Sequence, residues 1–343
     1  MIEMRSDTFT LPTPQMLAAM TSASLGDDVY GEDPTVRELE ETSAELTGKE
    51  AACFLPSGTM ANLCAILAQV PRGAKVVVGD ESDIYLYEAA GASVCAGASY
   101  EPVATDEDGR LPLDRIAAAF PDDPDDPQFA LPALICLENT HNRAGGVVLD
   151  EAYLAAVRNL ADERGVPVHL DGARLFNAAV AAGTSAAAVA RHAHTVQFCL
   201  SKGLSAPVGS MLAGPADVTN RARRARKLLG GGMRQAGVLA AAGLIAVTEM
   251  PQRLAEDHAN ALRLAEGLAQ LPGVTIEPKR VRTNIVLFRL EEMPWQRFVA
   301  ATADLGLRLA EFGHGRIRAV THRGVGSADV DRAVEIIDRV VSR

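Results

Sequence analysis

Residues 195–209 read TVQFCLSKGLSAPVG, a mostly apolar run at 196–200 that stops at Ser201, Lys202 and Gly203. The run is short and β-prone, which predicts a buried strand. Lys202 then stands alone at the end of a core strand, beside a glycine. Burial disfavours an ammonium and lowers its pKa. An amine tuned in that way can attack a carbonyl and hold it as a Schiff base. The plainer alternative is a lysine that caps the strand and reaches water.

The same pattern, a strand followed by a polar end, recurs outward from there. Residues 51–55 read as a strand followed by Pro56, Ser57, Gly58 and Thr59 and a helix over 60–70. A strand at 75–78 runs into an acidic turn ending at Asp83, with a helix opening over 84–88. Strands at 99–104, 133–137 and 166–170 follow; the last two end in ENTHN at 138–142 and DGAR at 171–174. Helices are predicted over 14–22, from Pro34, and over 113–120 and 151–164, and a further strand over 210–213. This alternation predicts an α/β fold with a large, doubly wound, mostly parallel sheet. Ligands of such sheets sit beyond the carboxyl ends of the strands, where all these polar clusters lie. A basic helical stretch over 221–227, an apolar helix over 235–249 and an amphipathic helix over 253–271 come next. From Val274 the pattern changes to strands at 274–277, 284–290 and 316–320, with helices at 295–305 and 328–341. That predicts a smaller C-terminal α+β domain, dividing the chain into 1–250 and 251–343.

A chain of 343 residues, 48% hydrophobic and 22% charged, is globular in composition. Its net charge of −11 argues against nucleic acid or an anionic membrane as partner. The longest apolar stretch, AGVLAAAGLIAV at 236–247, is too short to span a bilayer, and no signal segment opens the chain. Cys53, Cys64, Cys95, Cys136 and Cys199 form no CxxC pair and read as buried, reduced thiols of a cytoplasmic protein. No metal ligands are assigned.

Lys202 and Asp171 end two strands separated by one crossover, so both can reach one flat cofactor. Pyridoxal 5′-phosphate needs an amine for its aldehyde, a carboxylate for its ring nitrogen and an anion site for its phosphate. Lys202, Asp171 and the turn at 57–59 meet those needs, since first-turn amides are unpaired and the helix dipole is positive there. Ala173, two residues after Asp171, is small enough to lie flat on the ring.

The chain resembles the low-specificity threonine aldolases of the fold-type I pyridoxal-phosphate enzymes over nearly its whole length. The resemblance is carried by RSDT at 5–8, GDDVYGEDPT at 26–35, PSGTMAN at 56–62, ENTHN at 138–142 and HLDGARLFNA at 169–178. It continues through FCLSKGL at 198–204, KLLGGGMRQAG at 227–237 and IRAVTH at 317–322. It implies that Lys202 holds the cofactor, Asp171 its ring nitrogen and Arg174 its phenolic oxygen. Gly58 and Thr59 would bind the phosphate, helped by Lys227 and Arg234 of a neighbouring subunit. Ser6 and Arg318 would bind the substrate carboxylate, and Tyr30 would line the pocket from across a dimer interface, in a homotetramer built as a dimer of dimers. His141 would be the base for the β-hydroxyl of a small amino-acid substrate such as L-threonine or L-allo-threonine. The reaction implied is retro-aldol cleavage to glycine and an aldehyde.

Asp83 departs from the pattern, since the family usually has a histidine there, stacked on the ring. Aspartate cannot stack, and it adds negative charge where the β-substituent sits. It either turns to solvent or pairs with a basic group on a larger β-substituent. A β-eliminating lyase or a racemase could use the same Lys202 and Asp171.

Overall fold

The structure, a computed structural model, describes residues 1–342; Arg343, the last residue of the expected second domain, lies outside them. The short strand β1 (Ile2–Glu3) precedes seven strands of one sheet: β2 (Ala51–Leu55), β3 (Lys75–Gly79), β4 (Ser99–Val103), β5 (Pro132–Glu138), β6 (Val168–Asp171), β7 (Thr195–Cys199) and β8 (Ser210–Gly214). Their order is β2-β8-β7-β6-β5-β3-β4. Neighbours from β7 to β4 are parallel, while β8 runs antiparallel to both β2 and β7.

Side chains alternate between the two faces of this sheet, and both faces are covered. Phe54, Val77, Ile135 and Leu137 join one apolar cluster with Leu39, Leu154 and Val157. Their neighbours Val76, Val78, Leu134 and Cys136 pack on the other side against Ile66, and Cys53, Leu55 and Leu212 against Cys64 and Ala222. Strands buried on both faces read as continuous apolar runs, which is why they are visible in the sequence.

Local chemistry sets the ends of the helices. Asp33 caps Pro34–Thr47 by accepting from Thr35 N and Val36 N, with Pro34 in the first turn and Gly48 left-handed at the end. The helix expected over 84–88 is a single turn, Asp83–Leu86. Ala89 and Ala90 take positive φ values of 53° and 55°, which no α-helix accommodates. The helical piece expected after Arg174 is two helices, Leu175–Ala182 and Ala186–Ala190, parted at left-handed Gly183. Four cysteines are buried, but Cys95 is exposed, contrary to expectation.

A second apolar cluster holds Leu264, Val286, Phe288, Phe298, Ile317 and Ile337, and also Met4 from the start of the chain. Around it lie β9 (Val274–Thr275), β10 (Ile285–Leu290), β11 (Leu307–Arg308), β12 (Ala310–Glu311) and β13 (Ile317–Val320). Four of these make an antiparallel sheet in the order β12-β13-β10-β9, while β1 pairs in parallel with β11. The two-residue strands β11 and β12 are too short to leave a periodic signature. No helix among the described residues is long and apolar enough to cross a membrane.

Candidate active site

The carboxyl ends of β2, β3, β6 and β7 converge on a cavity of about 180 Å³. Ser57, Gly58, Thr59, Asn62, Asp83, Tyr87, Glu88, Asp171, Ala173, Gln197 and Lys202 are among its lining residues. Ser57 caps the helix Gly58–Gln69 by accepting from Met60 N at 3.2 Å. The N–H groups of Gly58 and Thr59 find no acceptor among the described residues, as the first turn of a helix dictates. A Cβ on Gly58 would stand 2.9 Å from Cys199 Sγ, so only glycine leaves this cradle open.

Asp171 ends β6 with its carboxylate fully engaged. Oδ1 accepts from Gln197 Nε2 and from Ala173 N (3.0 Å), and Oδ2 from Asn62 Nδ2 (2.8 Å). Asn62 Nδ2 also donates to Glu88 Oε1 at 2.8 Å, and Asn62 Oδ1 meets His169 Nε2 at 3.0 Å. Burial, and then the charge of Asp83, push the Asp171 carboxyl above its ordinary range. Glu88 is driven well up by burial and by Asp171. A cation brought to Asp171 is therefore the natural complement of this corner.

Lys202 offers its amine to the same cavity, with no protein acceptor for it among the described residues; its carbonyl accepts from Thr10 Oγ1 at 2.8 Å. The expected fall in its pKa does not occur. Burial pulls the amine down, yet Cys199, Asp7 and Asp83 outweigh burial and Arg174 and hold it above the ordinary lysine range. Of these groups only Cys199 belongs to the strand itself; Asp7 and Asp83 come from elsewhere in the chain.

Asn142 is the hub on the other side. Its Oδ1 accepts from Arg318 NH1 at 2.9 Å and lies 3.5 Å from Arg174 NH1, while Nδ2 donates to both Asp83 oxygens at 3.1 and 3.2 Å. Asp83 thus faces the cavity and does not turn to solvent. Arg174 is clamped by Asp7, two bonds of 2.7 Å each, and Asn284 Nδ2 donates to the same carboxylate at 3.0 Å. Burial would raise the Asp7 carboxyl, but Arg174, Lys202 and Asn284 hold it far below the usual range. Arg318 also donates to Arg5 O at 3.0 Å, and its Nε is buried without a partner.

Other expected residues lie apart. His141, 1% exposed, lines a neighbouring cavity of about 560 Å³ with Glu81 and Arg143. Its Nδ1 accepts from Ala144 N at 3.3 Å, its Nε2 has no partner, and burial lowers its pKa to about 4. Ser6 caps its own turn, accepting from Thr8 N at 3.2 Å. Tyr30 and Lys227 line a separate cavity of about 580 Å³, and Arg234 pairs with Asp27 at 3.0 Å.

Asp7, Asn62, Asn142, Gln197 and Glu88 were assigned no role by the sequence. Four of them left a signal: Asp7, Asn62 and Asn142 lie within RSDT, PSGTMAN and ENTHN. Gln197 is the one amide within the buried strand TVQFC, and Asn62 follows Gly58 by four residues, hence on the same helix face.

The sequence profile of the beta-eliminating lyases matches residues 3–292. The low specificity L-threonine aldolase of Escherichia coli K12 is 47% identical over 85% of both chains. Low-specificity L-threonine aldolase 1 of Arabidopsis thaliana is 42% identical over 96% of this chain and 93% of its own. The solved threonine aldolase of Leishmania major superposes with a TM-score of 0.83 at 20% identity, covering 99% of this chain and all of that one, a likeness of fold. With two relatives this similar along most of their lengths, and with the fold-type I architecture shared, the chain belongs to the low-specificity L-threonine aldolase family, among the beta-eliminating lyases.

Proposed function

We propose that the protein is a pyridoxal-phosphate-dependent aldehyde-lyase. It cleaves L-threonine, L-allo-threonine or a related β-hydroxy-α-amino acid to glycine and an aldehyde by retro-aldol chemistry. One observation carries the reading: a single cavity joins the unengaged amine of Lys202, the buried carboxyl of Asp171 and the free N–H groups of Gly58 and Thr59.

When bound, the cofactor supplies a sink for the electron pair released as Cα–Cβ breaks. Lys202 Nζ is the amine that would hold the cofactor through its aldehyde group. Asp171 would hold the ring nitrogen, whose protonated form would offset what burial does to the carboxyl. Ala173 would border the ring, Arg174 would serve its phenolic oxygen, and Gly58 and Thr59 would take the phosphate. Arg318 and Ser6 receive the substrate carboxylate. His141 takes the β-hydroxyl proton, directly or through a water. With Nδ1 accepting from Ala144, the resting ring keeps its hydrogen on Nε2. Baring Nε2 as a base means giving up that long bond, about 1 kcal/mol.

Residues 1–250 are read as the cofactor domain and 251–343 as the unit that delivers Arg318; the separate apolar clusters support two units, although Met4 and β1 from the start of the chain pack with the second. A second copy brings Tyr30, Lys227 and Arg234 to each cavity, in a homotetramer. The support is that Tyr30 is 76% and Leu228 78% exposed, beside Lys227. Five unpaired cysteines support a cytoplasmic, reducing setting.

Asp83 favours a second reading, cleavage of a substrate whose β-substituent is basic. Its carboxylate lines the cavity and is bonded by the Asn142 amide, and among the described residues it forms no ion pair, although Lys202, Arg174 and Arg318 lie near enough to feel its charge. Comparing kcat/KM for threonine and for a cationic β-hydroxy amino acid, in wild type and Asp83→His, tests this. Equal relative rates in both proteins sink it. Keto-acid or D-amino-acid products would instead mark a β-eliminating lyase or a racemase.

The main test uses the purified protein with pyridoxal phosphate and L-threonine or L-allo-threonine, coupling acetaldehyde to an alcohol dehydrogenase. A cofactor absorption band at about 420 nm and acetaldehyde release are expected, both lost in Lys202→Ala. No band with Lys202 intact overturns the reading.

A further inference from the structure

Strands β12 and β13 form a hairpin whose tip, residues 312–315, has three successive left-handed residues: Gly313 (φ 78°), His314 (57°) and Gly315 (70°). Such a conformation persists in a non-glycine residue only where contacts hold it. Phe312 stacks on Tyr87, centroids 5.8 Å apart and planes 20° from parallel. His314 Nε2 lies 2.9 Å from Glu81 Oε1, and a Cβ on Gly313 would collide with the Arg143 guanidinium. Arg143 itself donates to Tyr87 Oη at 2.6 Å and to Glu81. Tyr87 lines the Lys202 cavity, so the tip is docked on that cavity's wall.

The Phe312 ring also carries Arg318, whose Cζ sits 3.7 Å from the ring centroid. Arg318 is 8% exposed, and Arg174 is close enough to repel it. Asn142 and the Arg5 carbonyl take NH1 and NH2, which leaves Nε free. An aromatic face fixes the plane of a guanidinium and attracts its charge without using up an N–H. We infer that Phe312 is a positioning residue: its face holds Arg318 in the plane in which the unpartnered Nε receives the carboxylate of the amino-acid substrate. The inference rests on the reading of Arg318 given above.

The test follows the absorption of the holoenzyme during titration with glycine and with ethanolamine, an amine that lacks the carboxylate. Phe312→Leu keeps bulk without the π face and is expected to weaken glycine about tenfold, with ethanolamine unchanged. Phe312→Tyr restores glycine binding, and kcat for threonine at saturation stays within about twofold while KM rises in Phe312→Leu. Wild-type glycine affinity in Phe312→Leu, or equal weakening of both amines, overturns the inference. Arg318→Ala separates the two levels: if it leaves glycine affinity unchanged, the assignment of Arg318 itself fails.

Discussion

Replacing Asp7 with asparagine removes the only carboxylate bonded to Arg174 among the described residues while keeping nearly the same volume. Both side chains are buried, 0% and 3% exposed, and joined by two bonds of 2.7 Å. The guanidinium cannot discharge, so the variant leaves a bare buried cation close to Arg318 and Lys202. Breaking one side of such a pair costs about 3–5 kcal/mol, and the lower end applies because asparagine still accepts one hydrogen bond. At an m-value of about 3 kcal/mol/M, the urea midpoint falls by about 1 M. The acid limb changes too. The folded Asp7 carboxyl is depressed below its unfolded value of 3.8, so its contribution is full above about pH 4–5 and fades as pH falls below that. Urea unfolding followed by circular dichroism from pH 3 to 8 should therefore show a shallower acid loss in Asp7→Asn than in wild type. Adding Arg174→Gln should recover most of the deficit, since the cost lies in the unpaired charge. A single-variant loss under about 1 kcal/mol, or a double variant that is simply additive, would refute the reasoning.

Three further outcomes are expected. Asp171→Asn keeps the volume but removes the charge and sets an Nδ2 donor against a donor of Asn62 or Gln197, and should lower kcat by about 100-fold or more in the acetaldehyde assay. Gly58→Ala drives a methyl against Cys199 Sγ, 2.9 Å away; cofactor affinity, read by absorbance titration, should fall about tenfold, and Cys199→Ala should restore it. His141 has its pKa lowered to about 4 by burial. It stays neutral above about pH 5, so the acid limb of kcat/KM that vanishes in His141→Asn should fall below pH 5 and not near 6.5.

The sheet strands and most helices were legible because their causes are local. Runs such as 133–137 are apolar on both faces, and Asp33, Pro34 and Gly48 mark helix ends by their own chemistry. The turn 57–59, Asp171 and Lys202 were legible as a group, since the strand-end rule of α/β sheets gathers them without any contact being known. Other features could not be read that way. Ala89 and Ala90, good helix formers by composition, take positive φ values just beyond the one-turn helix Asp83–Leu86. The Lys202 pKa moved opposite to the local expectation because Cys199, on its own strand, acts together with Asp7 and Asp83, which are far away in the chain.

The sequence by itself determined the layered architecture and the strand-end residues, because apolar periodicity, caps and turns act over a few residues. Tertiary structure alone decided how the charges are neutralised and aimed. The Asp7–Arg174 clamp spans 167 positions, the Asp7–Asn284 bond 277 and the Arg318–Asn142 bond 176. Buried charges must find partners or aromatic faces wherever the fold brings them, and no local pattern encodes which distant residue that will be.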